Sequence, residues 1–170
     1  MPFIKSGGKV ISFAEYSDVV DADQRLFEAN EGLTDDVVED LLVRSTERIL
    51  HLLKGSDWWR DYYTRTSPGA SSYISKSALP ELDPNKIIYS QNDFTDLCVF
   101  YALYYYILPK IADFSKEDNA ERAKIGYYQG KFQLMFDELL NSGDWYDLDG
   151  SGLVENIEKF SGTYVLKRVR

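Results

Sequence analysis

Between Phe94 and Leu108 the chain reads Phe-Thr-Asp-Leu-Cys-Val-Phe-Tyr-Ala-Leu-Tyr-Tyr-Tyr-Ile-Leu. Phe94, Leu97, Cys98, Tyr101, Ala102, Tyr105 and Leu108 recur at helical spacing. Val99, Phe100, Leu103, Tyr104 and Tyr106 fill most of the other faces. A helix that is apolar nearly all round must sit at the centre of a body, or turn one face to another subunit. The stretch falls well short of the roughly 20 apolar residues that span a bilayer. Ser90 followed by Asp93 marks its start, and Pro109 ends or kinks it, so a helix is expected from Ser90 to Leu108.

Two further helices are expected around it. The first begins after Thr34, an N-cap residue type, with Asp35 and Asp36 placed where the helix dipole favours negative charge. Val38, Leu41, Leu42, Ile49, Leu52 and Leu53 follow at helical spacing, Ser45 fills the stripe, and Lys54-Gly55 closes it. The other runs from about Lys116 to Asn141, with Ser115 and Asp118 as its capping signal. Gly126 and Gly130 inside it cost roughly 1 kcal/mol each against Ala, and are expected to allow close helix packing. Short helices are expected over residues 14–30, with one or two further turns at Asp57–Tyr63. Residues 64–89 have turn composition, with Pro68-Gly69, Pro80 and Pro84. The fold class is thus mainly α: a small bundle of three long helices plus short N-terminal helices, a long loop and an extended C-terminal tail. Its segments are an extended lead over 1–13, strand or coil, a helical bundle over 14–141, a turn over 142–160 and a tail over 161–170.

Composition narrows the function classes. Twenty-five of the 170 residues are aromatic and 44% are hydrophobic, which argues against a disordered chain. The net charge of −9 argues against a protein that wraps nucleic-acid phosphates. The single Cys98 rules out an internal disulfide or a multi-cysteine metal site, and the single His51 rules out paired-histidine zinc motifs. The start, Met-Pro-Phe-Ile-Lys-Ser-Gly-Gly, has no apolar signal region, so a soluble cytoplasmic chain is expected.

One segment carries a metal-loop pattern. Asp147, Asp149 and Ser151 stand at loop positions 1, 3 and 5, with Gly152 at 6, Leu153 at 7, Glu155 at 9 and Glu158 at 12. Calcium takes 6–8 oxygens, and this spacing offers carboxylates, a hydroxyl, the Leu153 carbonyl and a bidentate Glu158. The flanks are those of an incomplete EF-hand, because Asn141-Ser142-Gly143 interrupts before it and only a short segment follows. Two readings stand: a Ca²⁺ loop, and an Asp/Gly-rich turn whose carboxylates are merely solvated.

Other candidates have plain structural readings beside functional ones. His51 lacks a nucleophile motif that would make it a base, so it reads as a surface or structural residue. Cys98, in an apolar helix, reads as a small core residue. Trp58, Trp59, Tyr62 and Tyr63, with Tyr104 and Tyr106, read as core or as a subunit interface. Asp57 and Asp61 beside the tryptophans are the only carboxylates considered for an enzyme, and no spacing pairs them for acid–base work. No catalytic residues are expected. The basic tail Tyr164, Val165, Leu166, Lys167, Arg168, Val169 and Arg170 is either a free end or a segment that docks on a partner.

Four stretches resemble the head–tail connector family of tailed bacteriophages, the portal adaptors of the phage neck. They are Phe13-Ala14-Glu15-Tyr16-Ser17-Asp18-Val19; Gly32 to Leu42 with Ser45 to Ile49; the tyrosine-rich helix closed by a proline; and Trp145-Tyr146-Asp147 to Gly152 followed by Leu166 to Arg170. The resemblance implies a non-enzymatic virion protein that assembles in the host cytoplasm. It implies a homo-oligomeric, dodecameric ring that bridges the portal protein and a further neck or tail protein. DNA would pass its channel without sequence-specific binding, and the tail would dock on the portal. The alternative is a single-EF-hand-like calcium-binding interaction module.

Overall fold

The computed structural model describes residues 3–30, 32–67, 74–115, 119–156 and 158–159. Its fold is mainly helical. Two short strands, β1 (Ile4–Ser6) and β2 (Lys9–Ser12), pair antiparallel, with Lys5 opposite Val10 and Ser6 opposite Lys9. Gly7 and Gly8 supply the positive φ angles, 57° and 82°, of the tight turn between them. The lead is therefore a hairpin rather than coil. Phe3 and Phe13 pack their rings on Phe94. The Phe13 amide donates to Thr46 Oγ1 at 3.0 Å, and its carbonyl accepts from Thr95 Oγ1 at 2.8 Å. The hairpin is thereby tied to two helices that are far away in sequence.

Helices α1 (Tyr16–Ala22) and α2 (Gln24–Ala29) meet at a corner on Asp23. Then come α3 (Asp35–Lys54) and α4 (Asp57–Thr66). Helix α3 starts after Thr34 and stops at Gly55 as expected, although the Thr34 side chain makes no capping bond. Its buried stripe is Val38, Leu41, Leu42, Ser45, Thr46, Ile49 and Leu53. The Ser45 hydroxyl is satisfied by the Leu41 carbonyl at 2.7 Å. Helix α4 is capped by Ser56 Oγ, which accepts from the Trp59 amide at 3.1 Å. The expected loop contains the end of α4 and two 3-10 turns, Lys76–Ala78 and Pro84–Lys86.

The central helix is α5 (Gln91–Tyr101), which runs through a π-helical segment, Ala102–Ile107, into α6 (Leu108–Ile111). Phe94, Leu97, Cys98, Val99, Tyr101, Ala102, Leu103, Ile107 and Leu108 are all buried. Of the two expectations for Pro109, an end or a kink, the helix does not end at Leu108 but continues to Ile111. The π turn inserts extra backbone just ahead of Pro109, which relieves the clash a proline ring makes with the carbonyl one turn back.

Helix α7 (Ala120–Ser142) lies along α5 and buries Tyr128, Phe132 and Leu139. It starts later than the Ser115–Asp118 signal suggested. Its cap is Asn119, whose side chain accepts from the Arg122 amide at 3.0 Å, while Ser115 is turned to Asp113. The glycines are the second correction. A Cβ placed on Gly126 or Gly130 would meet nothing within 4 Å, so they face open space and no helix packs on them. Asp23, buried at the α1–α2 corner, takes both of its short contacts, 2.6 and 2.8 Å, from Lys124 of α7. Tyr128 reaches the same corner through Ala22 and Asp23.

Cys98 is fully enclosed between α3 and α5, 3.4 Å from both Thr46 Oγ1 and the Leu42 carbonyl. Burial pushes its thiol up to about 12, so the reactive thiolate is scarce near neutrality. Folded protein at about pH 8 is expected to resist thiol reagents. Labelling should rise only in parallel with denaturant-induced unfolding. Rapid labelling of the native chain would contradict this placement.

Candidate metal centre

The metal-loop segment follows α7. Gly143, at a φ of 58°, ends the helix, and its amide bonds the Leu139 carbonyl at 3.2 Å. The chain then pairs in a short antiparallel bridge, Ile87 with Tyr146. The Asp147 amide donates to the Lys86 carbonyl at 2.9 Å, and the Ile88 amide to the Trp145 carbonyl at 3.0 Å. The two residues ahead of Asp147 are wedged into an aromatic nest. Trp145 stacks on Trp58 with centroids 4.3 Å apart and meets Phe94 edge-on. Tyr146 packs edge-on against Trp59 and Tyr62.

This placement corrects the surface reading of three aromatics. Trp58, Trp59 and Tyr62 are 5%, 1% and 0% exposed, so they pack the core that seats the loop and are not open to a subunit interface. Tyr63, Tyr104 and Tyr106 are half-buried. Tyr105, which the sequence reading left out of the interface set, is the exposed member of the tyrosine run.

Within the loop, Asp147 is buried and serves as an internal acceptor. Its Oδ1 takes the Gly150 and Ser151 amides at 2.8 and 3.2 Å, and its Oδ2 takes the Gly152 amide at 2.8 Å. Gly152 has a φ of 85°, which a side chain would strain, so glycine at this position is a backbone requirement. Asp149 accepts from the Ser151 amide at 2.9 Å. That contact, the Ser151 hydroxyl and the nearby Lys86 charge hold the Asp149 carboxyl below the usual carboxylate range. Ser151 Oγ donates to the Leu153 carbonyl at 3.0 Å. Val154 is buried.

Glu158 closes the loop from its far end and is only 3% exposed. Its Oε1 accepts from the Leu148 amide at 2.8 Å and from the Tyr62 hydroxyl at 3.3 Å. Its Oε2 accepts from the Glu155 amide at 2.9 Å. The Tyr62 hydroxyl also points to the Tyr146 carbonyl at 3.1 Å. Burial first, then the Glu158 charge, drives the Tyr62 hydroxyl far above its ordinary value, so it remains a donor.

Asp147, Asp149 and Glu158 therefore form a partly buried acidic cluster in which one oxygen from each lies within 4.8 Å of the others. Oxygens bound to one Ca²⁺ at 2.3–2.6 Å are at most about 5 Å apart, so this spacing can surround a single divalent ion. The donor set is all oxygen, which suits a hard cation. Glu155 is not among the three converging acids, and its amide rather than its carboxylate faces Glu158. Lys86 is the element the sequence did not single out. Its Nζ donates to the Leu148 carbonyl, which places a fixed positive charge at the rim of the acidic cluster. Its only sequence signal is its place before the short Ile87-Ile88-Tyr89 run.

The remaining candidates do not assemble into a catalytic group among the described residues. His51 is exposed on α3. Asp57 pairs with Lys76 at 2.9 Å and Arg60 at 3.3 Å, and Asp61 with Arg60 at 3.6 Å. The tail Tyr164–Arg170 lies outside the described residues. No protein-family profile matches the chain, no curated protein matches it, and no solved structure matches it.

Replacing Glu158 with Ala removes the acceptor of the partly buried Leu148 and Glu155 amides and leaves the buried Tyr62 hydroxyl only the Tyr146 carbonyl. It should lower stability by about 2–3 kcal/mol in urea melts. It should also speed hydrogen exchange at the Leu148 and Glu155 amides, with little change in α5. Unchanged exchange at both amides would show that Glu158 does not hold the loop.

Proposed function

We propose that this chain is a structural adaptor that assembles with copies of itself into a ring, of the kind found in the neck of tailed phages. The ring would join a portal protein to a further neck or tail protein. One observation carries the reading. Helix α7 turns an uncovered stripe outward, Ala123, Tyr127, Gly130 and Leu134, in which Tyr127 is 57% and Leu134 63% exposed. Large apolar side chains aligned on one face of a long helix are the usual mark of a surface that meets protein. The open glycines let a second backbone approach closely along the same stripe. The resemblance to the connector family adds the ring and the neck location. The net acidic charge suits a channel past which DNA slides, because carboxylates repel phosphates over roughly 10 Å at moderate salt.

In this reading the loop at 147–158 is a Ca²⁺ site that sets the angle at which the tail leaves the bundle, and the tail docks on the portal. A second reading is a calcium-binding interaction module without a ring. The convergence of Asp147, Asp149 and Glu158 oxygens favours it.

Two experiments separate the readings. Negative-stain images of the full chain mixed with the portal and neck proteins encoded beside it should show a twelve-fold annulus. Tyr127→Asp with Leu134→Asp should abolish that annulus while leaving a folded monomer. Particles without an annulus would remove the adaptor reading. Calorimetric titration with Ca²⁺ should show one site, with Asp149→Asn weakening it. At a hundredfold excess over its dissociation constant the ion should add about 2.7 kcal/mol of stability, reversed by chelator. Indifference to millimolar Ca²⁺ would leave an empty turn.

A further inference from the structure

A groove of about 400 Å³ lies between α1, α5 and α7. Phe100, Tyr127 and Tyr128 give it aromatic walls, and Asp18, Asp21 and Asp96 line it with acid. Asp93 is one turn away from Asp96 on α5. Among the described residues none of these four aspartates enters an ion pair. Burial, then the charges of Asp93 and Asp18, raises the Asp96 carboxyl above its usual range. The groove therefore holds excess negative charge. Lys131, its one cation among the lining residues, is drawn to the Phe100 and Tyr127 rings at 5.5 and 5.1 Å.

A second surface of the same chain has the opposite character. On α3, Arg44 and Arg48 are exposed, and neither forms an ion pair among the described residues. The Arg44 guanidinium sits 5.0 Å over the Tyr106 ring. Arg48 lies close to the Tyr101 hydroxyl, near enough for its charge to act on it. Tyr105, 54% exposed, stacks on Tyr101 at 5.2 Å. Tyrosine and arginine held in place by stacking are the residues most enriched at the energetic centres of interfaces. This ridge lies along the π segment, while Asp96 lies nine residues before Tyr105, about 13 Å along the axis of a helix. The two surfaces are distinct.

We propose that the acidic groove of one copy receives the Arg44/Arg48–tyrosine ridge of a second copy, in a head-to-tail contact. The proposal rests on the self-assembly reading above and names the faces that meet. Because groove and ridge do not coincide, the contact is heterologous, and repeating it produces a ring if it closes and a filament if it does not. The charges are opposite in sign, and both faces offer aromatic area. Tyr127 continues from the groove onto the uncovered α7 stripe, so the contact and the stripe form one surface.

The test is charge reversal with mixing, read by sedimentation velocity on the full chain over a range of concentrations. One variant carries Asp21→Arg with Asp96→Arg, and the other Arg44→Glu with Arg48→Glu. Wild type should associate reversibly, less so as salt rises. Each variant alone should associate at least about tenfold more weakly, while keeping the wild-type circular dichroism. An equimolar mixture should recover association, because each reversed face then meets its complement. If a reversal unfolds the chain, Asp21→Asn with Asp96→Asn and Arg44→Gln with Arg48→Gln replace it, and each should weaken association severalfold. Wild type that stays monomeric, a variant that associates like wild type, or a mixture that does not recover would overturn the proposal. Loss with the aspartate variant but not with the arginine variant would also overturn it, and would give the groove to another cation, such as the basic tail. An annulus that still forms on the portal with reversed variants would sink this contact and leave the adaptor reading standing.

Discussion

The requirement to cover α5 on every side governs the whole molecule. A helix carrying Phe94, Leu97, Cys98, Val99, Tyr101, Ala102, Leu103 and Ile107 leaves almost no face that water can wet without cost. Each such side chain gains roughly 1.5–3 kcal/mol on burial. Helices α3 and α7 cover two sides, the hairpin lays Phe3 and Phe13 on a third, and Trp145 closes the end at Phe94. The polar groups that come with these segments are satisfied across the same contacts. Thr46, for example, serves both the Phe13 amide and the Cys98 thiol. Among the described residues, the cover is open toward Tyr105 and along the outer stripe of α7.

The aromatic nest of α4 shows how a small core can place a polar loop. Trp58, Trp59 and Tyr62 are too large and too buried to act at the surface, yet they set where the loop begins. Stacking of Trp58 on Trp145 fixes the backbone just ahead of Asp147, and the Tyr62 hydroxyl reaches both the Tyr146 carbonyl and Glu158. One tyrosine thus holds the last acid of the loop and the backbone just ahead of the first, although the two acids are eleven residues apart in the chain. The loop amides donate to these carboxylates, and Lys86 supplies a positive charge at the rim.

The surface divides charge in a way that net charge conceals. The sum of −9 describes an acidic protein, but Asp18, Asp21 and Asp96 gather in one groove while Arg44 stands over a tyrosine of the π segment. A chain that carries both signs on separate, aromatic-rich faces has the means to recognise itself. Bulky rings on the open side of helices, such as Tyr105 and Tyr127, cost solubility.

Much of this was legible in the amino-acid order. Helical spacing identified α3 and α5 as buried helices, because side-chain periodicity is local and survives without knowledge of neighbours. Loop positions 147–158 were readable for the same reason, since Gly152 and the acids at fixed offsets act within a few residues. What order alone left undecided depends on contacts between distant segments. Trp58, Trp59 and Tyr62 looked equally suited to core or interface until Trp145 and Tyr146 came to rest on them. Gly126 and Gly130 suggested close packing, and only the arrangement of α5 on the opposite face of α7 turned them outward. Pro109 signalled a helix end or a kink, yet the π turn that accommodates it is a tertiary outcome. The sequence by itself determined which segments must be buried and which loop can present oxygens. The tertiary structure decided which aromatic faces are spent on the core and which remain outside, because that depends on how many neighbours each helix finds.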